Sequence, residues 1–126
     1  MYKIQVLVDD SIVRGTTTTQ ITHMLREAGA TEVHIRISSP PFINPCYFGT
    51  DIDSKDKLIA CRMSLEEIRK TLDSDSLGYL SLEHLQQIAQ VTTGCGFCMG
   101  SFTGEYPIEV PEETPCDKFS QKLCNN

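Results

Sequence analysis

The sequence predicts an α/β fold: a partial parallel sheet with flanking helices, followed by a helical and irregular C-terminal region. Three observations carry this. Residues 4–8, IQVLV, are nearly continuously apolar, as in a parallel-sheet strand covered on both faces. An amphipathic stretch with helical spacing follows, and after it EVHIRIS alternates apolar and polar residues as a second strand does. Strand, helix and strand within about 35 residues make a βαβ unit, whose crossover is expected to be right-handed.

Each element has its own local reason. In TTTQITHMLREAGA, Ile21, Met24, Leu25 and Ala28 stand at i, i+3, i+4 and i+7, so they are expected to form the inward helix face. Gly29 stands where a left-handed C-terminal cap is wanted. In the second strand Val33, Ile35 and Ile37 point one way. Residues 40–53, PPFINPCYFGTDID, read as a long loop, and loops of this length in compact domains tend to have a function. SLEE at residues 64–67 matches a capping box, with Leu65, Ile68 and Leu72 on one stripe of the helix behind it. SLGYLS offers a third short strand, and Ser81 can cap a helix that turns Leu82, Leu85, Ile88 and Ala89 inward. Beyond Val91 the density of glycine and proline leaves little room for regular structure. Residues 1–60 are read as the ligand-binding βαβ part, and residues 61–126 as a helical region and tail packed on it, together one compact domain.

Composition narrows the function classes. The chain has 126 residues, enough for one core but not for two. Eleven Lys and Arg against seventeen Asp and Glu give a formal charge of −6, and no basic segment tracks a phosphate backbone, which argues against nucleic-acid binding. The apolar runs are far shorter than the roughly 20 residues that span a bilayer, and MYKIQVLVDD does not read as a secretory leader, so the expected compartment is the cytosol.

The informative stretch is residues 6–18, VLVDDSIVRGTTT. Neighbouring strand residues point to opposite faces, so Asp9 and Asp10 can act together only where the strand is ending. The carboxyl end of such a strand is also where open α/β sheets bind ligands. Two carboxylates about 4 Å apart repel by roughly 1 kcal/mol in water, and more when partly buried. They therefore favour a cation or hydroxyl donors between them, and vicinal sugar hydroxyls and Mg²⁺ both fit. The helix that follows opens with unpaired N–H groups, worth about 0.3–1 kcal/mol to an anion. Gly15 permits close backbone approach, Thr16, Thr17 and Thr18 add hydroxyls, and Arg14 can add charge. Together these describe a clamp for a ribose 5-phosphate. An Asp-capped helix after an ordinary strand would use the same bare D-D-x-x-x-x-G-T string. No G-x-x-x-x-G-K-[ST] motif is present, which counts against a nucleoside-triphosphate hydrolase.

VLVDDSIVRGTTT resembles the phosphoribosyl pyrophosphate (PRPP) motif of type I phosphoribosyltransferases, and its DDSIVRGTT form resembles that of glutamine amidophosphoribosyltransferases. EVHIRISSPP, PCYFGTDI, SLEEIRKTLDSDSLGYLSLEHL and FTGEYPIEVP resemble, in order, the segments that follow in the C-terminal part of that family. The resemblance implies that Asp9 and Asp10 bind the ribose hydroxyls and Mg²⁺. It implies that Ser11, Val13, Arg14, Gly15, Thr16 and Thr17 hold the 5-phosphate, with Arg14 ranked below the aspartates. The family frees ammonia from glutamine in an N-terminal domain and adds it to PRPP, giving 5-phosphoribosylamine and pyrophosphate in purine biosynthesis. The sequence begins at the motif strand, without the family's N-terminal nucleophile, pyrophosphate loop or flexible catalytic loop. The expectation is a fragment that does not turn over alone, with the glutaminase domain, purine nucleotides and further copies of the chain as partners.

Six cysteines, Cys46, Cys61, Cys95, Cys98, Cys116 and Cys124, are many for this length. Some members of the resembled family bind an iron–sulfur cluster through four cysteines. Cys46 and Cys98 match two of these, Ser101 stands at the place of a third, and Cys95 is a candidate substitute ligand in a shifted frame. Reduced thiols packed as small hydrophobes are the alternative, with Cys61 expected in the core and Cys116 and Cys124 in a loose tail. His23, His34 and His84 are scattered with no paired nucleophile in view, so a solvated role is expected. Two other functional readings stand beside the enzyme: a non-catalytic phosphoribosyl- or nucleotide-binding regulatory module, and a cysteine-based metal-binding structural domain.

Overall fold

The computed structural model describes residues 3–50, 52, 54–93 and 96–110. Strand β1 (Ile4–Asp9) leads through a turn into helix α1 (Thr16–Glu27) and strand β2 (Glu32–Ile37). After the long loop come a 3₁₀ turn (Lys55–Lys57), α2 (Ile59–Arg62), α3 (Leu65–Thr71) and β3 (Ser76–Tyr79), then α4 (Leu82–Thr93) and α5 (Gly100–Thr103). The three strands are parallel in the order β1-β2-β3, with Leu7 opposite Ile35 and Ile35 opposite Leu77.

The alternation read in EVHIRIS is what builds the core. Val33, Ile35 and Ile37 are buried on one face of β2 and meet Ile12, Ile59, Ile68 and Leu72 there. Burying each such side chain contributes roughly 1.5–3 kcal/mol. Residues on both sides of position 60 thus share one core, since α2 supplies Ile59, α3 supplies Ile68, and Leu72 follows at the C-cap of α3. Asp75 fastens three elements together: its carboxylate accepts the Val33 N–H at 2.7 Å and Arg26 Nη2 at 2.8 Å.

The expected caps form. Gly29 takes φ +90° and its N–H donates to the Arg26 carbonyl at 2.9 Å. Ser64 and Glu67 make the reciprocal capping box of α3. The Ser81 hydroxyl accepts the His84 N–H at 3.2 Å at the start of α4.

Several faces depart from expectation. α1 turns Thr18 and Thr22 into the core, with Leu25 partly buried, while Met24 and Ala28 are exposed. The reason is chemical: the Thr22 hydroxyl donates to the Thr18 carbonyl at 3.0 Å, so burial leaves no unmet polar group and the Thr methyl packs. Among the described residues β1 is an edge strand covered on one face only. Ile4, Val6 and Val8 are 52, 62 and 69% exposed, whereas Leu7 on the other face packs on the core. Leu65 and Ile88 are also exposed, although the spacing placed them inward. Within the stretch expected to be irregular, α5 forms one short helical turn, ended by Gly104 at φ +83°.

Candidate functional site

The site is built where β1 ends. Asp9 is half-buried at the last strand position and Asp10 is exposed just beyond it. The Asp10 N–H donates to Asp9 Oδ1 at 2.9 Å, and the Ser11 hydroxyl donates to Asp10 Oδ1 at 3.2 Å. Each carboxylate thus spends one oxygen on its own loop and keeps the other for a hydroxyl or a hydrated cation. Ile12, 2% exposed, roots the turn in the core, and the Val13 carbonyl accepts the Ile59 N–H at 2.9 Å. Between these anchors the backbone must reverse, and Gly15 does so at φ +83°. A Cβ at Gly15 would lie 2.9 Å from Ile59 Cδ1, so both conformation and packing require glycine.

Gly15 is also the N-cap of α1, and no side chain caps that helix or places an acid in its first turn. Its leading N–H groups therefore lack side-chain acceptors. They open on a cleft of about 590 Å³ lined by residues 9–18 together with Thr50 and Ile52. The structure brings Asp9, Asp10, Ser11, Val13, Arg14, Gly15, Thr16 and Thr17 to this one cleft. Arg14 is exposed. Thr50 and Ile52 stand within the PCYFGTDI segment of the long loop, where nothing in their residue types marks them as lining a cleft.

That loop is held by the segment around α5. The Ser101 carbonyl accepts the N–H groups of Ile43 and Asn44, both at 3.0 Å. The Pro45 carbonyl accepts the Tyr106 hydroxyl at 2.7 Å. Phe42 packs on Phe102 with tilted rings 4.9 Å apart between centroids, and Tyr47 meets Tyr106 edge-on at 5.2 Å. Gly100 leaves room for the Tyr106 ring, which an added Cβ would overlap.

Cys46 lies inside this arrangement. Burial pushes its thiol up, but N–H groups of Phe48 and Thr50 and hydroxyls of Thr50 and Ser101 more than offset that, and the net effect holds it below the usual thiol range. Burial raises the Tyr106 phenol, and the neighbouring Tyr47, Cys46 and Cys98 add to the rise. Cys61 is exposed rather than in the core, because α2 is a single turn whose outer side it occupies; its Sγ reaches the Ile43 carbonyl at 3.3 Å. Cys95, Cys116 and Cys124 lie outside the described residues. Among the described residues no group of three or more His, Cys, Asp or Glu is placed to hold a metal ion. Cys46 and Cys98 alone do not fit a four-thiolate cluster, and Ser101 at the third place is already tied to the loop through its backbone.

His34 is not solvated as expected. Its Nδ1 meets Ser76 Oγ at 2.8 Å and its Nε2 meets Glu32 Oε2 at 3.0 Å. Parallel pairing of β2 with β3 sets His34 opposite Ser76, a partner 42 residues away. Arg36 Nη1 also donates to Ser76 Oγ at 2.9 Å, so the hydroxyl serves a cross-strand polar ladder on the open face of the sheet. This face is remote in kind from the aspartate cleft, whose lining residues include none of the four.

A parallel α/β sheet whose first strand ends in paired acids and hands over to an uncapped helix is the arrangement of the type I phosphoribosyltransferase-like proteins. Comparison with known proteins narrows the class. The chain is 52% identical over 113 residues to the amidophosphoribosyltransferase of Archaeoglobus fulgidus, a match that covers 88% of this chain and 25% of that protein. It is 51% identical over 112 residues to that of Bacillus subtilis, covering 86% of the chain and 24% of the relative. The solved glutamine PRPP amidotransferase from B. subtilis, complexed with ADP and GMP, superposes with a TM-score of 0.76 at 50% identity, over 86% of this chain and 25% of that one. No protein-family model matches the chain. The chain is therefore a homologue of the phosphoribosyltransferase portion of amidophosphoribosyltransferase, the purine-biosynthesis enzyme, and spans about a quarter of the length of the curated relatives it matches. Among the described residues no helix is long and apolar enough to cross a membrane.

Proposed function

We propose that this chain supplies the PRPP-binding part of an amidophosphoribosyltransferase, with residues 1–60 carrying the ligand and residues 61–126 packed against them. The whole enzyme transfers ammonia derived from glutamine to the anomeric carbon of PRPP. A C–N bond forms as the C–O bond to pyrophosphate breaks, giving 5-phosphoribosylamine. The observation that carries this reading is that one cleft is lined both by the two aspartates and by the uncapped first residues of α1.

In this reading Asp9 and Asp10 accept hydrogen bonds from the ribose 2- and 3-hydroxyls through the oxygens their own loop leaves free. Ser11, Val13, Arg14, Gly15, Thr16 and Thr17 surround the 5-phosphate, chiefly through backbone N–H groups at the positive end of the helix dipole. Gripping the sugar at both ends fixes the anomeric carbon for in-line displacement, and the nearby carboxylates favour the positive charge that develops there. Mg²⁺ fits beside Asp9 and Asp10, since it is held by one or two carboxylates plus ligand oxygens, and it would supply charge neutralisation for the departing pyrophosphate. The glutaminase domain, purine nucleotides and further copies of the chain are the partners this reading implies, in the cytosol; plant relatives are named chloroplastic. The regulatory-module and metal-domain readings have no observation in their favour.

Calorimetric titration of the chain with PRPP and Mg²⁺ tests the proposal. Binding should be lost or weakened at least tenfold in Asp9→Ala and Asp10→Ala, because each leaves buried hydroxyls of the ligand unmet. Wild-type-like binding in both variants would refute it.

A further inference from the structure

One face of the sheet is packed by Ile59, Ile68 and Leu72, and parallel sheets are as a rule covered on both. The other face carries two stripes side by side. Register sets Ile4, Val6 and Val8 of β1 opposite Glu32, His34 and Arg36 of β2, in that order. The first stripe is apolar and exposed at all three positions. The second runs from an acid through a histidine to a base, with about 13 Å of strand between its charged ends.

The polar stripe is already ordered. Both ring nitrogens of His34 are engaged, by Ser76 Oγ at 2.8 Å and by Glu32 Oε2 at 3.0 Å, so covering the ring orphans neither. Arg36 Nη1 donates to the Ile35 carbonyl at 2.7 Å and to Ser76 Oγ at 2.9 Å. The Arg36 stem lies against Gly78, where an added Cβ would stand 3.4 Å from Arg36 Cδ. The cation is thus held down on the sheet rather than loose in solvent.

A second copy of the same face fits this pattern, and the pattern selects one arrangement. Two identical sheets laid face to face are related by a two-fold axis in the plane between them. An axis along β2 would set Glu32 over Glu32 of the other copy, Arg36 over Arg36, and the apolar stripe over β3. An axis across the strands, through the row of Val6, His34 and Ser76, reverses the strand direction instead. β1 then lies over β1, apolar on apolar, and each Glu32 faces Arg36 of the other copy. Packed sheets stand about 10 Å apart, a gap that a glutamate and an arginine side chain together bridge.

We infer that this chain self-associates through the open face of its sheet as an antiparallel two-fold dimer, with the β1 stripes in contact and two Glu32–Arg36 pairs across the axis. Association of this kind needs no ligand and is independent of the PRPP-binding reading. Three strands about 4.8 Å apart and up to about 20 Å long present on the order of 300 Å² per copy, below standard interfaces, so the dimer is reversible.

Sedimentation velocity of the full chain from about 10 μM to about 1 mM tests this, and the wild type should pass from monomer to dimer over that range. Glu32→Arg or Arg36→Glu alone sets like charges across the axis twice, and each should raise the dimer Kd at least tenfold. An equimolar mixture of these two variants restores opposite charges at both contacts and should return the Kd to within about threefold of wild type. Val6→Lys, at a position exposed in the monomer, should also raise the Kd at least tenfold, and it keeps the test open if a charge variant does not fold. A wild type still monomeric at about 1 mM overturns the inference. So does a wild-type Kd in Val6→Lys or in both charge variants, or a mixture of folded charge variants that stays as weak as either alone.

Discussion

Replacing Gly15 by alanine tests how the turn is built. Two costs add. A Cβ in the left-handed region costs about 1–2 kcal/mol through its clash with the backbone. The same Cβ falls 2.9 Å from Ile59 Cδ1, with Leu72 Cδ2 at 3.5 Å and Ile12 Cγ2 at 3.9 Å behind it. All three neighbours are core side chains at 2% exposure or less, so Ile59 Cδ1 must yield into filled space. Because it is the end of a side chain it can yield in part, adding roughly 1 kcal/mol. The expected loss is about 2–3 kcal/mol, which lowers a urea midpoint by roughly 1–2 M. The chain has no tryptophan, so unfolding is best followed by far-UV circular dichroism or tyrosine fluorescence. Gly49→Ala is the control: its φ is also positive, but its Cβ meets nothing within 4 Å, so only backbone strain applies. Equal stability of Gly15→Ala and wild type, or a loss no larger than that of Gly49→Ala, would refute the claim that packing on Ile59 and Leu72 fixes the turn.

Two further outcomes follow from the same packing. The Val33 N–H first, opposed by burial and aided by Arg26, holds the Asp75 carboxyl below its ordinary value. A carboxyl depressed in the folded state adds stability above its unfolded pKa of about 4, and that stability is lost as pH falls through the folded value. Asp75→Ala should therefore cost about 1–3 kcal/mol at pH 7, chiefly by orphaning the Val33 N–H, and denaturant titrations should show the gap to wild type narrowing below about pH 4. Gly100→Ala should displace the Tyr106 ring and cost about 1–3 kcal/mol, with the Ile43 and Asn44 amides, which donate to the Ser101 carbonyl, losing hydrogen-exchange protection together.

Much of this could be read from the chain because its causes are local. The paired acids, Gly15 and the threonines are contiguous, so strand end, turn and helix start arrive together in the fold. β2 was legible because a buried face in a strand leaves a period of two. The phase of α1 was not, because counting apolar residues puts Met24 inward and cannot see that Thr18 and Thr22 bury well once a hydroxyl bonds back to a carbonyl. The apolar run of β1 reads as covered on both sides, yet only Leu7 and its face meet the core. Thr50 and Ile52 bear no mark in their residue types, because what brings them to the cleft is the path of the long loop, whose Ile43 and Asn44 amides are held by Ser101 of α5. The pairing of His34 with Ser76 depends on strand register across 42 residues, and no short window contains it.

Among the described residues, the aspartates stand at the tip of a strand that is hydrogen-bonded along one side only. Such a border strand opens more readily than one bonded on both sides, and its opening equilibrium is subtracted from whatever affinity the aspartates could reach if held still. On the PRPP-binding proposal, a polypeptide that bonded to that bare margin, or sealed Ile4, Val6 and Val8, would tighten sugar-phosphate binding without touching the sugar. By thermodynamic reciprocity, the occupied cleft would then grip that polypeptide more strongly by the same factor.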